Sequence, residues 1–442
     1  MTKTLQNIYP PLTVFYTIHG VPHHKKTGLS KMKRNNNKLR WLVIFLLFTV
    51  SFTLNAQDFG VLVDQSVVFS AHRENLEDIN FDYSGSFIPY FSALLGDIGE
   101  LNVAAAFTYR IEPWFYVPEL LMTELILRFN KNEIKLGRME YKDPLEIIAG
   151  GYFDGALFSL ETNGGTFSAG GWYTGYLFKT RAAITMTEDE EIYCYEGYSF
   201  ENFENTYFAP ARVLSALSWE HPSFGGFMDV KLSLLGQFDF TGADLDSQYV
   251  TLKLSIPSQY LILDLGGCFE LIQYNSIYSG MRNSTMALAA RAGLTVIFPA
   301  SIEHKISLQG IYSSGVFKNF PVKAFLPLTT IPQGNLLNAK LTGLSILSLN
   351  IIANYSDTVS TDLSVTYFIR NDLETYKGYP VIGTNSEGYY LGPEFYWKLS
   401  WNSASGFQMN LGGGVFVPEL GNALPDANML WKAEASILFS LF

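Results

Sequence analysis

The chain has 442 residues, a formal net charge of −11, 48% hydrophobic and 15% aromatic residues, and a mean hydropathy of +0.11. That is too polar for a bundle of membrane helices, each of which needs roughly 20 consecutive apolar residues; no uncharged apolar run beyond residue 56 approaches that length. The acidic balance argues against nucleic acid as a partner, since phosphate needs Lys and Arg, and two cysteines, Cys194 and Cys268, are too few for a disulfide scaffold.

Basic residues crowd the N-terminus. Lys3, Lys25, Lys26, Lys31, Lys33, Arg34, Lys38 and Arg40 precede the first acidic residue, Asp58. Met32 to Arg40 forms a basic n-region, and Trp41 to Leu54 (WLVIFLLFTVSFTL) an apolar h-region too short for a stable anchor. Ala56 then offers a small residue ahead of Gln57. A signal peptide is therefore predicted over 32–56. Residues 1–31 read as an extension upstream of a natural start at Met32, and 57–442 as the exported body.

Beyond Gln57 the dominant signal has period two. In Val250-Thr251-Leu252-Lys253-Leu254-Ser255-Ile256 the apolar side chains fall on one face and Thr, Lys and Ser on the other. Leu363, Val365, Tyr367 and Ile369 alternate with polar residues in the same way, as do Phe395, Trp397, Leu399 and Trp401. Strand side chains point to alternate faces, so each run is a ribbon with one apolar face. Such runs are predicted at 59–70, 81–94, 100–110, 119–129, 132–140, 153–161, 165–178, 211–220, 226–239, 248–257, 259–272, 285–298, 303–314, 340–354, 359–370, 388–401, 406–417 and 429–442.

The connections discriminate between architectures. The even-numbered gaps are tight (GDIG, FNKNE, TNGG, PSQ, SDTVS, NSASG), whereas 179–210, 315–339 and 371–387 are long odd-numbered ones. A β-sandwich has no reason to sort its loops by parity. A membrane barrel does, with short turns on one rim and long loops on the other. The expectation is an all-β fold: a transmembrane antiparallel up-and-down β-barrel of about 18 strands, closed because lipid cannot hydrogen-bond an open edge. The last strand ends in Phe442, similar to the terminal aromatic read by barrel-assembly machinery, although Phe442 is out of phase with the apolar Trp431, Ala433, Ala435, Ile437, Phe439 and Leu441.

If the apolar faces meet outer-membrane lipid, the alternate positions line the lumen. Among them are Glu124, Arg128, Lys231, Lys253, Asp264, Glu270, Arg291, Arg370, Glu394 and Lys398, together with Gln237, Asp362, Lys432 and Glu434. Both signs are present, so the expected work is electrostatic and steric filtering at a waist narrowed by inward-folded loops, since no N-terminal stretch is large enough to be a plug. The acidic run Glu188-Asp189-Glu190-Glu191 lacks calcium-loop spacing and reads as a solvated loop. Of the six His only His72 falls in a long-loop position, and no metal, phosphate-loop or dinucleotide motif is found, so neither an enzyme nor a cofactor is expected.

Two stretches resemble the alginate-export family of porins. One is Ile134 to Glu140 (IKLGRME) with Phe153-Asp154-Gly155-Ala156 following; the other is Gly392-Pro393-Glu394-Phe395 with Gly412 to Pro418 (GGGVFVP). The resemblance implies an eighteen-stranded outer-membrane barrel, and it implies a lumen role for Arg138, which matches the family's glycine-arginine strand end. The resulting expectation is a channel for small hydrophilic solutes or oligosaccharides; the rival is an adhesin whose barrel only anchors its loops.

Overall fold

The computed structural model describes residues 56–72, 79–111, 115–186, 190, 198–240, 245–275, 282–299, 303–316, 323–375, 387–403, 406–423 and 428–441. The predicted signal peptide up to residue 55, most of the acidic run, Cys194 and Phe442 lie outside them.

Strands dominate, and they fall where period two places them. In chain order they are β1 (Ala56–His72), β2 (Asn80–Leu94), β3 (Gly99–Arg110), β4 (Phe115–Phe129), β5 (Asn132–Lys142), β6 (Gly150–Thr162), β7 (Gly165–Tyr173), β8 (Arg212–Phe224) and β9 (Met228–Asp239). Then come β10 (Asp246–Pro257), β11 (Leu261–Asn275), β12 (Arg282–Phe298), β13 (His304–Ser313), β14 (Leu344–Asn354), β15 (Val359–Arg370), β16 (Tyr390–Asn402), β17 (Phe407–Phe416) and β18 (Leu430–Leu441). Each pairs antiparallel with its sequence neighbours, and β1 also pairs with β18, from Val61↔Leu441 to His72↔Leu430. The eighteen-stranded sheet is thus a closed barrel with no free edge.

Connections after even strands are turns, such as 130–131, 163–164 and 258–260; those after odd strands include 174–211, 314–343 and 371–389. Several boundaries differ from the sequence expectation by a few residues, and two of these differences have a cause inside the barrel. β7 stops at Tyr173 rather than 178, because Leu177 and Phe178 are buried and lead into the short helix α1 (Lys179–Ala182). β14 starts at Leu344 rather than 340, because Ala339 and Leu341 join a buried cluster inside the barrel.

The strand faces are sorted by polarity in the inverted sense. Val250, Leu252, Leu363, Phe395 and Trp397 are exposed, whereas Thr251, Ser364, Thr366 and Glu394 are buried. The exposed apolar residues circle the barrel. Aromatics gather toward its rims: Phe59, Phe129, Phe167, Phe224, Phe298 and Trp401 near the short turns, and Phe69, Phe81, Tyr116, Tyr274 and Tyr390 near the long loops. An apolar band between aromatic girdles is the surface that a bilayer solvates. A soluble monomer rarely exposes so large an apolar area.

Candidate functional site: the lumen and its inward-folded segments

Three connections from the long-loop rim turn into the barrel and meet. The first, 143–149, wraps around Asp143, whose carboxylate accepts the N–H groups of Leu145 (2.8 Å), Ile148 (2.8 Å) and Ala149 (2.9 Å). Burial pushes that carboxyl up from its ordinary pKa, against the backbone donors that hold it down. Leu145 rests against β11 at Gly266, where a Cβ would come within 2.2 Å of its Cδ2. Arg291 on β12 holds the same turn, donating to the Leu145 carbonyl at 2.7 Å and lying 3.7 Å from Glu146.

The second segment, 323–343, runs from the β10–β11 wall to the β16–β18 wall, fastened at both ends by inward side chains. Glu270 accepts the N–H of Leu326 at 2.9 Å, and the Tyr249 hydroxyl donates to the Leu326 carbonyl at 2.7 Å. At the far end Glu394 accepts three backbone N–H groups, from Asn335 (2.6 Å), Leu336 (2.9 Å) and Leu337 (3.0 Å). Lys432 donates to the Asn335 carbonyl at 2.7 Å. A carboxylate that collects several N–H donors fixes a loop because each donor left unmet in a buried place costs about 1–3 kcal/mol.

The third segment, around 177–186, is bonded to the second, which is bonded in turn to the first. Thr330 donates to the Ala183 carbonyl (2.7 Å), Thr185 to that of Leu328 (2.9 Å) and Thr329 to that of Ile148 (3.1 Å). Arg212, fully buried at the start of β8, donates to the Thr185 carbonyl and pairs with Glu190, both at 2.6 Å. Leu145, Ile148, Ile184, Phe325, Leu328 and Leu336 pack with Phe153, Trp172, Leu235, Tyr249 and Phe368 of the wall in one apolar cluster. The interior is narrowed by the chain's own connections. A cavity of about 360 Å³ stays open between residues 332–335 and the inner wall of β13 to β16.

The predicted lining residues fall into distinct situations. Glu270, Arg370 and Glu394 are buried and spent on loops, Arg370 donating to the Gly388 carbonyl at 2.6 Å. Glu124 lies 3.7 Å from Lys135, Arg128 3.2 Å from Glu133 and Lys231 2.9 Å from Glu220, each pair joining adjacent strands. Asp264 accepts from the Ser255 hydroxyl. Lys253 stands in register with Lys231 and Gly266, and Lys398 with Asp362; neither lysine has an ion pair among the described residues.

Arg138 is placed differently. It alternates with Met139, which is buried in the internal cluster, and shares the phase of exposed Leu136. Its guanidinium is clamped by Asp154 at 2.8 and 2.7 Å, and also donates to the carbonyls of Leu120 and Tyr176. The two halves of the IKLGRME…FDG stretch thus bind each other in the barrel wall, on the outward phase.

Sequence reading missed Asp143, Arg212 and Tyr249. Asp143-Pro144 is a turn signal that marks where β5 ends, and Tyr249 shares the phase of Thr251 and Lys253. Nothing local marks Arg212. Among the described residues no group of His, Cys, Asp or Glu has metal-site geometry, and Cys268 is a free, buried thiol.

Closed antiparallel barrels of eighteen strands with an apolar exterior are found among outer-membrane porins. No family model matches the chain, and no curated protein does. Solved structures do. Pseudomonas aeruginosa OccK2 (OpdF), determined in complex with glucuronate, superposes with a TM-score of 0.57 at 12% identity, over 87% of this chain and 98% of that one. The outer membrane protein OpdK of the same organism gives 0.56 at 10% identity, over 87% and 99%. P. aeruginosa OccK11 (OpdR) gives 0.54 at 11%, over 87% and 95%. At such identities the likeness is one of fold.

Proposed function

We propose that the protein is a porin of the bacterial outer membrane, passing small hydrophilic solutes or oligosaccharides by diffusion, without a cofactor and without enzymatic activity. The observation that carries this reading is the closed barrel with apolar residues outside, polar ones inside, and its own loops folded inward as the narrowing. An eighteen-stranded barrel is wide enough to leave an aqueous channel. The fold neighbours OccK2 and OpdK support it. The adhesin reading is not favoured, because residues 143–149 and 323–343 turn into the barrel rather than away from it.

The finer expectations fit this reading. Residues 32–56 act as the export signal, 1–31 precede the natural start, and 57–442 form the barrel inserted by the assembly machinery. The long loops face outward from the cell and the short turns face the periplasm. Lys231, Lys253, Asp264, Arg291 and Lys398, with the paired Glu124 and Arg128, line the path. Glu270, Arg370 and Glu394 shape it by holding loops, and Arg138 belongs to the wall. The resemblance at 134–156 and 392–418 supports an alginate-export-like relationship, though no arginine-rich stripe suits a polyanion.

Planar-bilayer recording of the purified, refolded protein tests the proposal. Discrete openings with ohmic conductance are expected. A membrane-inserted barrel that never conducts would refute it.

A further inference from the structure

The cavity beside residues 332–335 has a composition that specifies a class of occupant. Its charged groups balance. Asp362 and Lys398 are register partners on β15 and β16, and Glu434 is neutralised by Lys432 at 2.9 Å. Both Asp362 and Lys398 line the cavity and neither is used by the loops: the buried Asp362 Oδ1 has no hydrogen-bond partner among the described residues, and Lys398 has no ion pair there. Around them the wall offers Asn350, Ser364 and Gln333, with apolar ground from Ile311 and Ile346. The volume, about 360 Å³, falls in the roughly 300–1,000 Å³ range of ligand pockets.

A charged solute gains little here. An anion would lose hydration and meet two carboxylates, and a cation would meet Lys398 with Lys432 behind; in neither case does net charge repay the desolvation. A neutral polyhydroxylated solute fares otherwise. Each of its hydroxyls both donates and accepts, so it can donate to Asp362 and accept from Lys398 and the amides, while its C–H faces lie on the isoleucines. We propose that this chamber is a transit subsite for a neutral sugar of one or two rings. The proposal rests on the porin reading and adds to it a place and a solute class.

The test uses the full barrel in detergent micelles and, in parallel, in planar bilayers. Galactose, galacturonate and galactosamine share one ring and differ in charge. Calorimetric titration should show saturable galactose binding that is stronger than that of either charged analogue. Asp362→Asn and Lys398→Gln, on different strands and near-isosteric, should each weaken galactose binding about tenfold, as expected for one charge-assisted hydrogen bond. Galacturonate or galactosamine binding as tightly as galactose overturns the proposal. So does the absence of saturable galactose binding, or unaltered affinity in both folded variants. Channel openings without galactose binding sink the subsite alone; galactose binding without openings upholds the subsite and sinks the porin reading.

Discussion

Glu394 shows how one side chain sets the width of a barrel. It stands on the inward phase of β16, and its carboxylate takes the N–H groups of Asn335, Leu336 and Leu337 at 2.6 to 3.0 Å. Those donors would otherwise reach for water, and the segment would swing free of the wall. Glu394→Ala should therefore loosen residues 335–337 and raise single-channel conductance, while Glu394→Gln, whose amide oxygen still accepts, restores part of the narrowing. Equal conductance in all three proteins, with no new protease cleavage at 335–338, would show that Glu394 does not hold the loop. The residue was visible in the sequence as a polar position in a strand of alternating pattern. Its partners were not. They lie nearly sixty positions earlier, in a stretch that reads as a plain loop.

At the scale of the hairpin, most of the architecture is local and was readable. Strand positions, their alternation and the sorting of turns from loops follow from period two and from turn residues. Readability failed where apolar residues serve the interior. Leu177 and Phe178 look like a continuation of β7, but they are buried where the chain turns inward. One glycine is critical to a hairpin. Gly137 sits at φ +103°, and a Cβ there would fall 1.8 Å from the Thr123 carbonyl oxygen of the paired strand. Gly137→Ala should strain or unpair β4 and β5, at a cost of about 1–3 kcal/mol, read as a lower urea midpoint of the folded barrel in micelles. An unshifted midpoint would mean that the wall yields there. The same hairpin supplies Arg138, bound to Asp154 of β6, which explains why a motif legible as sequence does not mark a lumen charge: the pair is satisfied within the wall.

For the molecule as a whole, closure and solvent decide. β1 meets β18 along twelve register pairs, from Val61↔Leu441 to His72↔Leu430, so every strand has two neighbours, as a sheet in hydrocarbon requires. The outward Leu252 lies at the middle of β10, 43% exposed. Leu252→Arg should destabilise the barrel by about 2–4 kcal/mol in bilayers, the range for a cation on the lipid face at mid-depth, and Leu252→Ala by much less. An Arg tolerated as well as Ala would mean that this face does not meet lipid. Local chemistry was enough to settle strand count, face polarity and the rim of each loop, because alternation and turn residues act between neighbours in the chain. Which segments narrow the lumen, 143–149, 177–186 and 323–343, and where they dock was beyond it. Those segments are placed by hydrogen bonds to Glu270, Glu394, Arg212 and Lys432, residues brought near only after the sheet has rolled shut, and a loop's own residues do not record which wall it will meet.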